Sequence, residues 1–190
     1  MPADDIVGES CLYELDEEER IVSVGGTWTS FAIANGAPEL APPAPLGRPI
    51  YASISDPTTS HIYSELYARV RAHQRTIEFQ VRCDGPAVRR LLRLRLSPAN
   101  NARVQVESTL LRAEPREAIT EAAESSADAE LLRVCGWCKL VELGMDWVEV
   151  EVAIDRLALL ERGVLPRFSH GICPRCEAAM MRTLDELEAS

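Results

Sequence analysis

Two Cys-x-x-Cys pairs constrain this chain more than any other feature: Cys135-Gly136-Trp137-Cys138 and Cys173-Pro174-Arg175-Cys176, with 34 residues between them. Each pair puts two sulfurs on one tight turn, and two such turns can close a tetrahedron around one ion. The spacing assigns Cys135, Cys138, Cys173 and Cys176 as a four-thiolate metal site. Zinc is the expected ion, because it favours tetrahedral sulfur and has no redox chemistry of its own; iron in the same cage is the alternative. A full set of protein ligands leaves no position for water, so the expected site is structural. Its binding free energy then becomes folding free energy for the segment that holds it.

Thiol–disulfide chemistry is the rival reading. It needs a βαβ setting with the first cysteine at a helix N-terminus, and no helix signal follows Cys138. A zinc–thiolate site that releases its metal on oxidation is a further alternative. His170 lies three residues before Cys173 and is expected to shape the turn rather than ligate. Cys11 and Cys83 have no neighbouring cysteine or histidine and read as core or incidental thiols.

The 190 residues suffice for one medium domain or two small ones. Residues 131–190 are too few to bury a full core unaided, which a metal would remedy. The net charge of −10 argues against non-specific binding to nucleic acid or an anionic membrane. That charge is uneven. Residues 1–20 hold eight acids against Arg20, whereas residues 69–95 hold eight arginines against Glu78 and Asp84. The arginine run predicts a solvated face of strands and a helix; the functional alternative is a patch for phosphate or an acidic partner. No basic-then-apolar leader opens the sequence, and no apolar run approaches the ~20 residues that span a bilayer. A cytoplasmic protein without a membrane segment is expected, and reducing conditions there favour metal over disulfide.

Residues 1–10 read as a flexible tail. Leu12–Leu15 and Ile21–Val24 are strand-like and joined by a polar turn, as in a hairpin. Trp28–Ala34 predicts a short helix closed by Asn35-Gly36. Five prolines between residues 37 and 49 predict a loop. A helix starting at Pro57, capped by Ser55 or Asp56, runs to about His73 with Ile62, Leu66 and Val70 on one face. Three antiparallel strands follow at Thr76–Arg82, Val88–Leu96 and Val104–Leu111. Residues 113–130, rich in Ala, Glu and Ser, form a linker or solvated helix. In residues 131–190 a strand at Leu131–Val134 leads into the first cysteine turn. An amphipathic helix is expected over residues 147–161, with Trp147, Val150, Ile154 and Leu157 on one face, and a final helix begins at Pro174.

No Gly-rich phosphate loop, nucleophile elbow, His-Glu-x-x-His or carboxylate pair in an apolar setting is present. No catalytic residue is assigned, and no enzymatic activity is expected. His61 and His73 read as surface residues. Trp28, Phe31 and Tyr51 read as core packing around a cavity, with stacking on a flat ligand as the alternative.

Two resemblances sharpen this outline. The order of elements over residues 11–112, with "DEEERIVSVGGTWTSFAIANGAPEL" and "RCDGPAVRRLLRLRLSP", resembles a PAS domain, which implies a five-stranded antiparallel sheet with helices on one face. "VCGWCKLV" followed by "RFSHGICPRC" resembles the C-terminal cysteine module of bacterial signalling proteins. That module's pattern carries a basic residue near Val141 and Glu142, and this chain does not. Together the resemblances imply an α+β, PAS-like domain followed by a small zinc-ribbon-like helical module. They imply signal transduction through a signalling partner or a second copy of the chain, with no PAS ligand named. The competing function is a zinc-ribbon regulator that binds nucleic acid, against which the net charge speaks.

Overall fold

The structure is a computed structural model and describes residues 7–54, 57–85, 87–116, 131–158 and 167–188. Residues 1–6, Ser55, Asp56 and 117–130 lie outside the described residues, and with them part of the expected tail, the helix cap and most of the expected linker; the rest of the tail is tied down, since Gly8 and Glu9 exchange backbone hydrogen bonds with Leu110.

Strands β1 (Ser10–Leu15) and β2 (Ile21–Gly26) form the expected hairpin. Helix α1 (Trp28–Ala34) follows, and Gly36 at φ 74° turns the chain out of it, a conformation that costs glycine nothing. The proline-rich stretch contains one 3-10 turn, Pro38–Leu40, and a second, Ile50–Ser53, follows it. Helix α2 (Pro57–His73) precedes β3 (Ile77–Arg82), β4 (Val88–Ala99) and β5 (Arg103–Pro115). β5 continues past Leu111 because Arg112–Pro115 pair with Val88–Leu91 of β4 around a bulge.

The five strands form one antiparallel sheet in the order β2-β1-β5-β4-β3. Alternation along the strands sends one set of side chains toward α2. Leu15, Leu96, Val104 and Val106 are fully buried there, against Leu66, Tyr67 and Val70 of α2. Arg93, Arg95 and Glu78 point to the opposite, solvated face.

The C-terminal part contains more sheet than the expected helical module. β6 (Leu131–Cys135), β7 (Val141–Leu143), β8 (Asp146–Val148) and β9 (Arg167–Gly171) form a second sheet in the order β8-β7-β6-β9. Only β6 and β9 run parallel. Helix α3 (Val150–Arg156) is shorter than expected, because Trp147 sits in β8 and pairs with Glu142 of β7. Residues 159–161 of that expectation lie outside the described residues. Helix α4 (Pro174–Glu188) starts at the expected proline. Its buried Met180 and Leu184 join the same apolar cluster as Leu66 and Tyr67 of α2, so the short segment completes its core on the first sheet's helix. Val141 is 1% exposed, which explains why a charged residue is absent at that position.

Candidate metal centre

Parallel pairing of β6 with β9 aligns Cys135 with Gly171, so both strands deliver their cysteine turns to one edge. In the first turn the Cys138 N–H donates to Cys135 Sγ (3.5 Å), and the Lys139 N–H donates to the Cys135 carbonyl (3.0 Å). Lys139 takes a left-handed φ of 61° to complete this turn. In the second turn Cys173 stands just before Pro174, and its sulfur accepts the Cys176 N–H at 3.5 Å, as an N-cap side chain would. The turns are stitched together by Gly136 N–H to Gly171 C=O (2.8 Å) and by Cys173 N–H to Cys135 Sγ (3.4 Å). A Cβ on Gly136 would come within 3.1 Å of Thr59 Oγ1 of α2, so only glycine fits there without displacement.

The structure brings together all four predicted cysteines. Their sulfurs lie within 4.8 Å of one another, and Cys138 and Cys173 are 3.7 Å apart. An ion with metal–sulfur bonds of about 2.3 Å, the zinc value, sets tetrahedral sulfurs about 3.8 Å apart. The donor set therefore fits a tetrahedral thiophilic ion. Cys135 and Cys173 are buried, and all six cysteines are free thiols.

The electrostatics agree. Its interaction with Cys138 holds the Cys135 thiol down to about 4, and backbone N–H groups reinforce this against burial. That same interaction, with burial, drives Cys138 far above the usual thiol range, and burial with the charge of Cys135 pushes Cys176 up to about 12. Without a cation the cluster keeps protons on some sulfurs so that their charges can coexist; a bound dication takes the place of those protons.

Sequence reasoning passed over Trp137, the residue between the first two cysteines. Its side chain is 2% exposed and stacks on Tyr63 of α2, with centroids 5.5 Å apart and ring planes 15° apart. Its carbonyl accepts the N–H of Arg82 at the end of β3 (2.6 Å). The Arg82 guanidinium pairs with Asp84 and with both carboxylate oxygens of Glu149, just before α3. The available sequence signal was a large aromatic inside a turn that would otherwise be exposed.

Other candidates are placed differently. His170 is exposed and outside the sulfur cluster, and His61 and His73 are exposed. Much of the arginine run is matched by acids: Arg69 with Glu65, Arg71 with Glu19, Arg89 with Glu151, and Arg95 with Glu78. Trp28 and Phe31 line a cavity of about 510 Å³ between α1 and the helix-facing side of the first sheet, as do Cys11 and Cys83. Tyr51 lies elsewhere and hydrogen-bonds Glu19. Among the described residues no helix is long and apolar enough to cross a membrane.

No protein-family model matches the chain. No curated protein matches it in sequence either.

Proposed function

We propose that this chain is a non-enzymatic sensory or adaptor protein, in which a PAS-like sheet domain is tied to a structural zinc module and acts through contacts with another protein or a second copy of itself. The observation that carries the reading is the burial of Trp137, held between Cys135 and Cys138, against α2 and β3. A metal that fixes the turn also fixes Trp137, and through it the end of β3. The next residue, Cys83, lines the cavity. A change in the cavity and a change at the metal module thus share one short run of backbone.

The PAS-like part of the reading is supported by the single antiparallel sheet of five strands with α2 packed on one face. Zinc is supported by the all-sulfur donor set, whose four atoms lie within 4.8 Å of one another. With four thiolates in place, zinc would supply cross-linking and no open coordination site. Among the described residues, pairing of Arg69, Arg71, Arg89 and Arg95 with acids weighs against the nucleic-acid alternative.

Native mass spectrometry of protein purified without added metal tests the reading. The expected result is about one zinc per chain, lost on chelation together with the near-ultraviolet circular dichroism of Trp137. Metal-free protein with unchanged tertiary signals would refute a structural zinc.

A further inference from the structure

The 510 Å³ cavity lies within the size range of small-molecule sites. It is walled chiefly by Trp28, Phe31, Leu40, Leu92 and Leu110. Most of its polar groups are already spent on the protein. Thr27 Oγ1 donates to the Ser10 carbonyl (3.2 Å), and Ser30 Oγ donates to the Thr27 carbonyl (3.0 Å). Asn35 Nδ2 donates to the Phe31 carbonyl and Trp28 Nε1 to the Leu40 carbonyl, each at 2.9 Å. The Cys11 thiol rests on Thr27 Oγ1 at 3.5 Å.

What remains is one hydroxyl, one thiol, one carboxylate and the side-chain oxygen of Asn35, an exposed residue. The Ser108 hydroxyl has no hydrogen bond to any described residue, Cys83 is exposed at the wall, and Glu9 is exposed at the mouth. Among the described residues no arginine, lysine or histidine lines the space. The guanidinium of Arg90 lies over the Phe31 ring, 5.6 Å from its centroid, and is not part of the lining. A phosphate, sulfonate or carboxylate would therefore enter without a counter-charge and next to Glu9, at the cost of its hydration. Flat apolar molecules would meet Trp28 and Phe31 and lose little.

From this lining we infer that the cavity binds a compact, uncharged, mainly apolar molecule with at most one hydrogen-bonding group, met by Ser108. This inference names the ligand class for the sensory reading above and rests on that reading for its purpose, but not for the binding itself.

Two probes that share a skeleton and differ by one anion test it on the zinc-loaded full chain. N-phenyl-1-naphthylamine is neutral, and 1-anilinonaphthalene-8-sulfonate carries the extra charge. Saturable binding at one site per chain is expected for the neutral probe, at least about tenfold tighter than for the sulfonate. Leu92→Trp, which fills the space, should abolish it. On the wild-type chain the neutral probe should also slow alkylation of Cys83 by iodoacetamide, followed by peptide mapping, so the test does not depend on the variant's folding. Equal binding of both probes overturns the inference, as does unchanged alkylation of Cys83 at a saturating probe concentration. Absence of neutral-probe binding in protein that holds one zinc refutes the ligand class and leaves the metal reading intact. Binding in protein that never holds zinc supports the ligand class and removes the metal reading.

Discussion

The Trp137 indole lies nearly flat on the Tyr63 ring, with centroids 5.5 Å apart. Tyr63 in turn packs against Phe79 of β3 and Tyr67 of α2. A residue from a cysteine turn thus becomes part of the core of the first sheet. Trp137 Nε1 is buried with no hydrogen-bond partner among the described residues, so stacking and apolar contact hold the ring there.

Trp137→Ala should destabilise the protein by about 3–5 kcal/mol, the range for deleting a large buried aromatic. Trp137→Phe should cost much less, because it keeps a stacking ring and removes the unpaired N–H. Urea unfolding followed by circular dichroism measures both. Zinc content should stay near one per chain in each variant, because the four sulfurs are untouched. Equal stability of the alanine and wild-type proteins would show that the docked ring contributes nothing.

Cys173→Ser should weaken metal binding and loosen the β6–β9 pairing together. The sulfur both belongs to the cluster and accepts the Cys176 N–H at the start of α4. Competition with a chromophoric chelator reports affinity, and hydrogen exchange at Arg133 and Gly171 reports the strands. Exchange that does not change when metal is lost would separate the site from the fold.

Arg82 links Asp84 to Glu149, and its side chain is 16% exposed. Arg82→Met should cost about 2 kcal/mol, since hydrogen bonds to charged groups are lost and Asp84 and Glu149 keep only longer ion pairs, to Arg116 and Arg89. A double-mutant cycle with Glu149→Gln isolates the link between the two sheets. A coupling energy of zero would mean that solvent serves Glu149 as well as Arg82 does.

The Glu151 carboxyl sits below its ordinary value of 4.5. Burial alone would raise it, but the ion pair with Arg89, the backbone N–H and the charge of Arg116 outweigh that effect. A carboxylate whose folded value is depressed stabilises the fold above its unfolded value and loses that contribution as pH falls through the folded one. Thermal melts should therefore show stability declining below about pH 4.5, and Glu151→Gln should flatten part of that decline. Identical pH profiles for variant and wild type would remove Glu151 from the acid response.

Gly26→Ala should be severely destabilising. Gly26 adopts φ 61° where β2 leaves the sheet, and a Cβ there would overlap the Ser10 carbonyl oxygen. That carbonyl accepts the Thr27 N–H at 2.9 Å, so it has little freedom to move away. Expression yield and melting temperature measure the effect, and a melt within a degree or two of wild type would be the contrary result.

Much of the fold was legible where contacts are local. Helix α1, the start of α2 at Pro57, the β1–β2 hairpin and the three later strands follow from residue periodicity and turn chemistry. The cysteine set was legible because Cys-x-x-Cys has few other uses at this spacing. The helix expected over residues 147–161 was misread. Trp147, Val150 and Ile154 do recur at helical spacing, but Trp147 is used in a three-residue strand, and strand pairing with β7 overrides a short amphipathic pattern. Tyr51 was placed at the cavity on aromatic character alone, and its hydroxyl instead follows the charge of Glu19.

Sequence alone determined which residues can ligate a metal, where α1, α2 and α4 begin and which strand faces are apolar, because each depends on neighbours within a few positions. The tertiary structure decided that β6 lies parallel to β9 and not antiparallel, which alone brings two distant cysteine turns to one edge. It also decided that Trp137 of the first turn enters the core of the other sheet. Both outcomes depend on contacts between segments far apart in the chain, where the entropy of closing a long loop is offset only by burial that no local pattern records.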